Sequence, residues 1–173
     1  MSTSGRLGAD GRTTTGRREL LASRAEAWRF LAEPYHLSDW WPGAVSVEPD
    51  RRGFALDARW QVRVFADPPG IGFLRMPRLG RPSGPLSAQM LVITAIEPES
   101  RWEWELIRRL GLGREGAVTD KVVSVSLRAL EAGRTEVTID VRSGRGTGVR
   151  HDARLAQTAA DRLYDLVQMA STL

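Results

Sequence analysis

Four stretches of the chain alternate apolar and polar residues one by one, and that period of two narrows the architecture more than any other feature. Ala58–Ala66 sets Trp60, Val62 and Val64 against Arg59, Gln61 and Arg63. Arg101–Arg108 sets Trp102, Trp104 and Leu106 against Glu103 and Glu105, and Asp120–Leu130 sets Val123, Val125 and Leu127 against Ser124, Ser126 and Arg128. Arg134–Arg142 repeats the pattern with Val137, Ile139 and Val141. Successive side chains of a strand point to opposite faces, so each stretch has one apolar and one polar side. An antiparallel sheet covered on one face reads this way, whereas the strands of a doubly wound parallel sheet are apolar on both faces.

The cover lies at the end of the chain. From about Val149 to Thr172 the period becomes helical, with Ala153, Ala156, Ala160, Leu163, Val167 and Ala170 in one stripe and Leu155, Ala159, Tyr164 and Leu166 beside it. At about 1.5 Å per residue this helix is roughly 30 Å long, enough to lie across a small sheet.

Ahead of the alternating stretches, Glu19–Ala22 reads as a short first strand. Ser23 with Glu26 has the spacing of a capping box, and Ala27, Phe30 and Leu31 share one face of the helix that follows. Pro34 separates it from a second short helix carrying Leu37, Trp40 and Trp41, which Pro42 and Gly43 end. Ala44–Glu48 is a strand with Val45 and Val47 on one face. Ala88–Ile96 is an apolar run called a strand because Val92, Ile93 and Thr94 are β-branched. EAGR before the last strand is a hairpin connection. The order is one strand, two short helices, six strands and one long helix, an α+β chain.

With 173 residues and no repeat, residues 17–173 form one domain behind a flexible tail at 1–16. Cysteine is absent and His36 and His151 are the two histidines, so disulfides, thiolate metal sites and histidine-rich metal sites are excluded and no cofactor is expected. The formal charge is +4, but the basic residues run from Arg6 to Arg162 without a block, which describes a solvated surface and no nucleic-acid partner. Lys121 is the one lysine among 25 Lys and Arg residues, a skew that fits the GC-rich genome of a bacterium. Glu97, Glu99, Glu103 and Glu105 interleave with Arg101, Arg108 and Arg109, as cross-strand pairs on an exposed face would. The tail lacks an apolar core and no run is long enough to span a membrane, so a cytoplasmic chain is expected, as monomer or homodimer. Asp67–Ser87 holds five prolines and four glycines in 21 residues, and is either a lid or edge-covering loop or a disordered segment.

Leu20–Val47, LLASRAEAWRFLAEPYHLSDWWPGAVSV, resembles the opening of the SRPBCC superfamily, which includes START-type lipid-binding domains, polyketide cyclases and birch-pollen-allergen-like proteins. The features that carry the resemblance are the first helix ending in Leu31, EPYHLSDWWPG, and the terminal helical segment Ala153–Leu166. It covers roughly Arg17 to the end, apart from the Pro/Gly-rich stretch. It implies a helix-grip fold, in which a curved seven-stranded antiparallel sheet wraps a long C-terminal helix, with two short helices between strands 1 and 2. It also implies an apolar cavity between sheet and helix.

On that expectation Trp60, Val62, Phe73, Met90, Val92, Trp102, Trp104 and Tyr164 are candidate ligand contacts, although the three tryptophans read first as packed core. Tyr164 and Arg63 are weak candidates for moving a proton, and Arg59 and Gln157 are further polar groups for a pocket mouth. Gly111, Gly113 and Gly116 match the spacing of a dinucleotide loop, but AVTDKVVSVSLRAL after them alternates as a strand where that fingerprint needs a helix. His36 with Asp39, and His151 with Asp152, are read as structural. The leading expectation is a protein that binds a small hydrophobic molecule: a lipid, a polyketide or an aromatic compound. The alternatives are a polyketide cyclase/aromatase-like enzyme and a partner-binding domain resembling the activator of a chaperone ATPase.

Overall fold

The computed structural model describes residues 12–65, 86–109, 117–143 and 149–171. Strand β1 (Thr13–Leu20) leads to helix α1 (Arg24–Leu31), a 3-10 turn (Pro34–His36) and helix α2 (Leu37–Trp40). Strands β2 (Ala44–Pro49), β3 (Arg59–Phe65), β4 (Leu86–Glu97), β5 (Arg101–Arg109), β6 (Ala117–Ala129) and β7 (Thr135–Ser143) follow, and helix α3 (Val149–Ser171) ends the chain. The strands form one antiparallel sheet in the order β1-β7-β6-β5-β4-β3-β2, with α3 against its β1 and β7 side.

Local chemistry accounts for the start of the fold. Glu26 N–H donates to Ser23 Oγ at 3.3 Å, while Glu26 Oε2 accepts from Ser23 N–H at 2.9 Å, the reciprocal capping box. Ala27 and Leu31 are the buried residues of α1. The His36 ring stacks on Phe30 at 4.2 Å with Nδ1 3.0 Å from the Phe30 carbonyl oxygen, so His36 braces the corner between the two helices.

Three expectations need correction. β1 begins at Thr13, so Thr13–Gly16 are strand and not tail; Thr14 and Gly16 face inward, and at Gly16 the backbone of α3 lies directly on the strand. Val45 and Val47 do not share a face: the β2–β3 register shifts between Ala44 and Ser46, which leaves Val45 exposed and Val47 buried. On α3 the inward stripe is Asp152, Ala156, Ala159, Ala160, Leu163 and Val167, and Ala153 is exposed.

The inner face is filled tightly at the end where β3 and β5 begin. Trp60, Trp102 and Trp104 are fully buried there. Trp102 lies 5.8 Å from Trp60 and 4.3 Å from Trp104 between ring centroids, Phe54 covers Trp102 at 5.0 Å, and Trp40 and Trp41 meet Trp104 edge-on at 6.0 and 5.5 Å. The outer face is polar. Arg101 bonds Glu103 at 2.7 Å and Ser124 at 3.0 Å, and Thr119 donates to Glu105 at 3.0 Å. The interleaved charges of β5 therefore pair partly along their own strand.

Candidate functional site

The part of the inner face where β5 and β7 finish has a different chemistry. Lys121 of β6 stands in phase with Val123, Val125 and Leu127, so its side chain enters the interior. It is paired across the sheet with buried Leu106 on one side and with Ser143 on the other. Lys121 Nζ donates to Asp152 Oδ1 at 2.7 Å and to Ser143 Oγ at 2.9 Å. The side chains of Lys121 and Asp152 are 12% and 3% exposed, which makes this a buried ion pair.

Each partner comes from a different element. β6 presents the ammonium and β7 the hydroxyl, while the first turn of α3 supplies the carboxylate, where it also meets the positive end of the helix dipole. A bulge precedes the lysine: Ile107 pairs with Thr119 and Leu106 with Lys121, so Asp120 is an extra residue on β6. Such bulges bend a strand and re-aim the side chains beside them.

The buried indole nitrogens are not all satisfied among the described residues. Trp60 Nε1 donates to the Gly53 carbonyl at 2.8 Å. Trp102 Nε1 and Trp104 Nε1 are buried with no hydrogen-bond partner among the described residues. A donor left in this way costs about 1–3 kcal/mol.

The residues singled out from sequence divide between the two faces. Trp60, Val62, Trp102 and Trp104 point inward and are buried in contact with the rest of the core. Met90 and Val92 do not join them. Their partners across β3 are Gln61 and Arg59, on the outer face, while Leu91 and Ile93 are the inward residues of β4. Arg59 and Arg63 are likewise exposed on the outer face, away from any interior mouth.

Tyr164 is half-buried at the seam between α3 and β1. Its hydroxyl accepts from Gln168 at 2.6 Å, and the Arg18 guanidinium lies 5.7 Å over its ring. Gln157 belongs to the same seam, donating to Asp161 at 2.8 Å and accepting from Arg17 N–H at 3.4 Å. Burial pushes the Asp161 carboxyl up, but hydrogen bonds from Gln157 and Arg18, with the charge of Arg18, outweigh it and hold the group below the usual aspartate range. Phe73, most of the Asp67–Ser87 stretch and the glycines at 111, 113 and 116 lie outside the described residues. Strand β6, and no helix, follows those glycines, so the dinucleotide fingerprint is incomplete.

Lys121, Ser143 and Asp152 were not singled out as site residues from sequence, yet the signal was present. Extending the inward phase of Val123 back by two gives Lys121, and extending that of Val141 forward by two gives Ser143. Two polar residues in the apolar phase of adjacent strands are an anomaly that calls for a partner.

Among the described residues no group of three or more His, Asp or Glu side chains could hold a metal ion, and no helix is long and apolar enough to cross a membrane. No family model and no curated protein matches the chain. Solved structures do. Protein CV1439 from Chromobacterium violaceum matches with a TM-score of 0.64 at 17% identity, over 90% of this chain and 96% of its own. Ara h 8.0201 matches with a TM-score of 0.60 at 13% identity, over 92% and 99%. The di-domain ARO/CYC BexL from the BE-7585A biosynthetic pathway matches with a TM-score of 0.64 at 12% identity, over 94% of this chain and 48% of that one. Strand order, closing helix and these likenesses together identify the chain as a helix-grip fold, the fold that its resemblance to the SRPBCC superfamily implied.

Proposed function

We propose that this protein binds a small hydrophobic molecule on the inner face of its sheet, at the end occupied by Lys121, Ser143 and Asp152. The observation that carries the reading is the placement of the chain's one lysine on a largely apolar inner face, held there by two partners. Burying an ammonium and a carboxylate is costly, and a hydrophobic pair of the same size is often as stable or more so. A binding role gives the pair a use that packing alone does not. The tryptophan-filled end serves in this reading as the rigid floor, and the ligand contacts fall to the inward residues beyond it.

Native mass spectrometry of the purified protein, with solvent extraction of what it carries, tests the reading. A bound apolar molecule, or uptake of naphthalene-sized probes at micromolar concentration, is the expected result. A ligand-free protein that takes up no such probe overturns it.

The likeness to BexL favours a second reading, a polyketide cyclase/aromatase-like enzyme. Arg63 and Tyr164 are poorly placed for it, on the outer face and at the helix seam. Lys121 beside Asp152 is the charged pair an interior reaction would use. Conversion of a poly-β-keto thioester by the protein, abolished in Lys121→Met/Asp152→Asn, supports this reading, and an unchanged product distribution removes it.

A further inference from the structure

We infer that the ligand presents a neutral carbonyl or enol oxygen to Lys121, as a ketone, ester or quinone does, and is neither a plain hydrocarbon nor a carboxylate; this rests on the binding role proposed above. Lys121 has hydrogen-bonding capacity to spare. An ammonium has three N–H donors. Lys121 gives one to Ser143 Oγ and one to Asp152 Oδ1, and the third has no acceptor among the described residues.

Trp102 Nε1 and Trp104 Nε1 are also buried donors without a partner among the described residues, but they lie inside the packed tryptophan cluster, so the donor a ligand meets at this site is the third N–H of Lys121.

The charge of that ligand follows from Asp152. Its carboxylate sits 2.7 Å from Lys121 Nζ and already neutralises it, so an anionic head would approach a second negative group in a poorly hydrated place. A neutral oxygen accepts the third N–H without that repulsion. Ser143 and Asp152 fix the ammonium before the ligand arrives, so little side-chain freedom is lost on binding.

Three probes of one size test the inference by fluorescence titration: 2-acetylnaphthalene, 2-ethylnaphthalene and 2-naphthoate. The native protein is expected to prefer the ketone over the hydrocarbon by on the order of tenfold, the worth of one hydrogen bond to a charged donor, and to bind naphthoate more weakly than the ketone. Lys121→Met/Asp152→Asn removes both charges, so no lone ion is buried. It is expected to bind 2-ethylnaphthalene as the native protein does and to lose the ketone preference. Asp152→Asn alone keeps the donor and the preference. A ketone preference that survives loss of Lys121, equal affinity for ketone and hydrocarbon, or tighter binding of naphthoate than of ketone overturns the inference while the binding role stands. Binding of none of the three overturns both.

Discussion

Gly16 of β1 sits under Ala156 of α3 so closely that a Cβ built on the glycine falls 2.2 Å from the Ala156 carbonyl oxygen and 2.5 Å from the Gln157 nitrogen. Both obstacles are helix backbone, which cannot swing aside as a side-chain tip can. Gly16→Ala therefore pushes the helix off the strand, and the buried alanines at 156, 159 and 160 lose their close fit with it. Overpacking of this kind costs about 1–3 kcal/mol, occasionally more. The expected result is a lower urea midpoint for Gly16→Ala, with Thr15→Ala, on the exposed side of the same strand, close to the native protein.

The Lys121–Asp152 pair behaves differently when one partner goes than when both go. Lys121→Met leaves a carboxylate that is 3% exposed without its cation, and such losses run to about 3–5 kcal/mol. Adding Asp152→Asn removes the stranded charge and should recover most of that loss. A double-mutant cycle by urea unfolding checks it. Additive single losses would mean that the pair is more hydrated than its burial indicates.

The tryptophans separate by what their indole nitrogens do. Trp60→Phe strands the Gly53 carbonyl that now accepts from Nε1 at 2.8 Å. Trp102→Phe removes a buried donor that has no partner among the described residues, so relief of that donor offsets part of the lost packing. Trp60→Phe is expected to be the more damaging by about 1 kcal/mol, read from chemical denaturation. Trp102→Ala, which empties the middle of the cluster, should cost about 3–5 kcal/mol.

How much of this was legible in the sequence depended on whether a stretch carried its own phase marker. β5 announces its faces because Trp102, Trp104 and Leu106 alternate with charges, and the structure puts every one of them inward. β4 has no such marker: Ala88–Ile96 is apolar on both sides, so nothing local distinguishes Met90 and Val92 from Leu91 and Ile93. Pairing with β3 decides it, and pairing is a tertiary fact. Val45 was misplaced by a bulge, which flips every residue beyond it without altering composition. The Gly16 contact was hidden because a glycine in a polar, Thr-rich stretch reads as flexible. The close approach that requires it comes from a helix 140 positions further on. The Lys121 site was hidden only in part, since its phase was readable while its partner, Asp152, was explained well enough by the helix terminus.

Acid should expose the seam between α3 and β1. Asp161 accepts from Arg18 Nε and from Gln157 Nε2, and these bonds hold its carboxyl below the ordinary aspartate value of about 3.9. The folded state thus binds fewer protons than the unfolded chain as the group titrates. The contribution is complete above the unfolded value and is lost as pH falls through the lower folded one. Arg18 and Asp161 are 49% and 41% exposed, so solvent and salt screen the pair and its contribution stays below about 1 kcal/mol. The stability difference between the native protein and Asp161→Asn is therefore expected to be constant from about pH 5 to 8 and to close below about pH 4. Urea unfolding at each pH reads it directly. A difference that instead widens on acidification would mean that the Arg18 and Gln157 bonds do not govern this carboxylate.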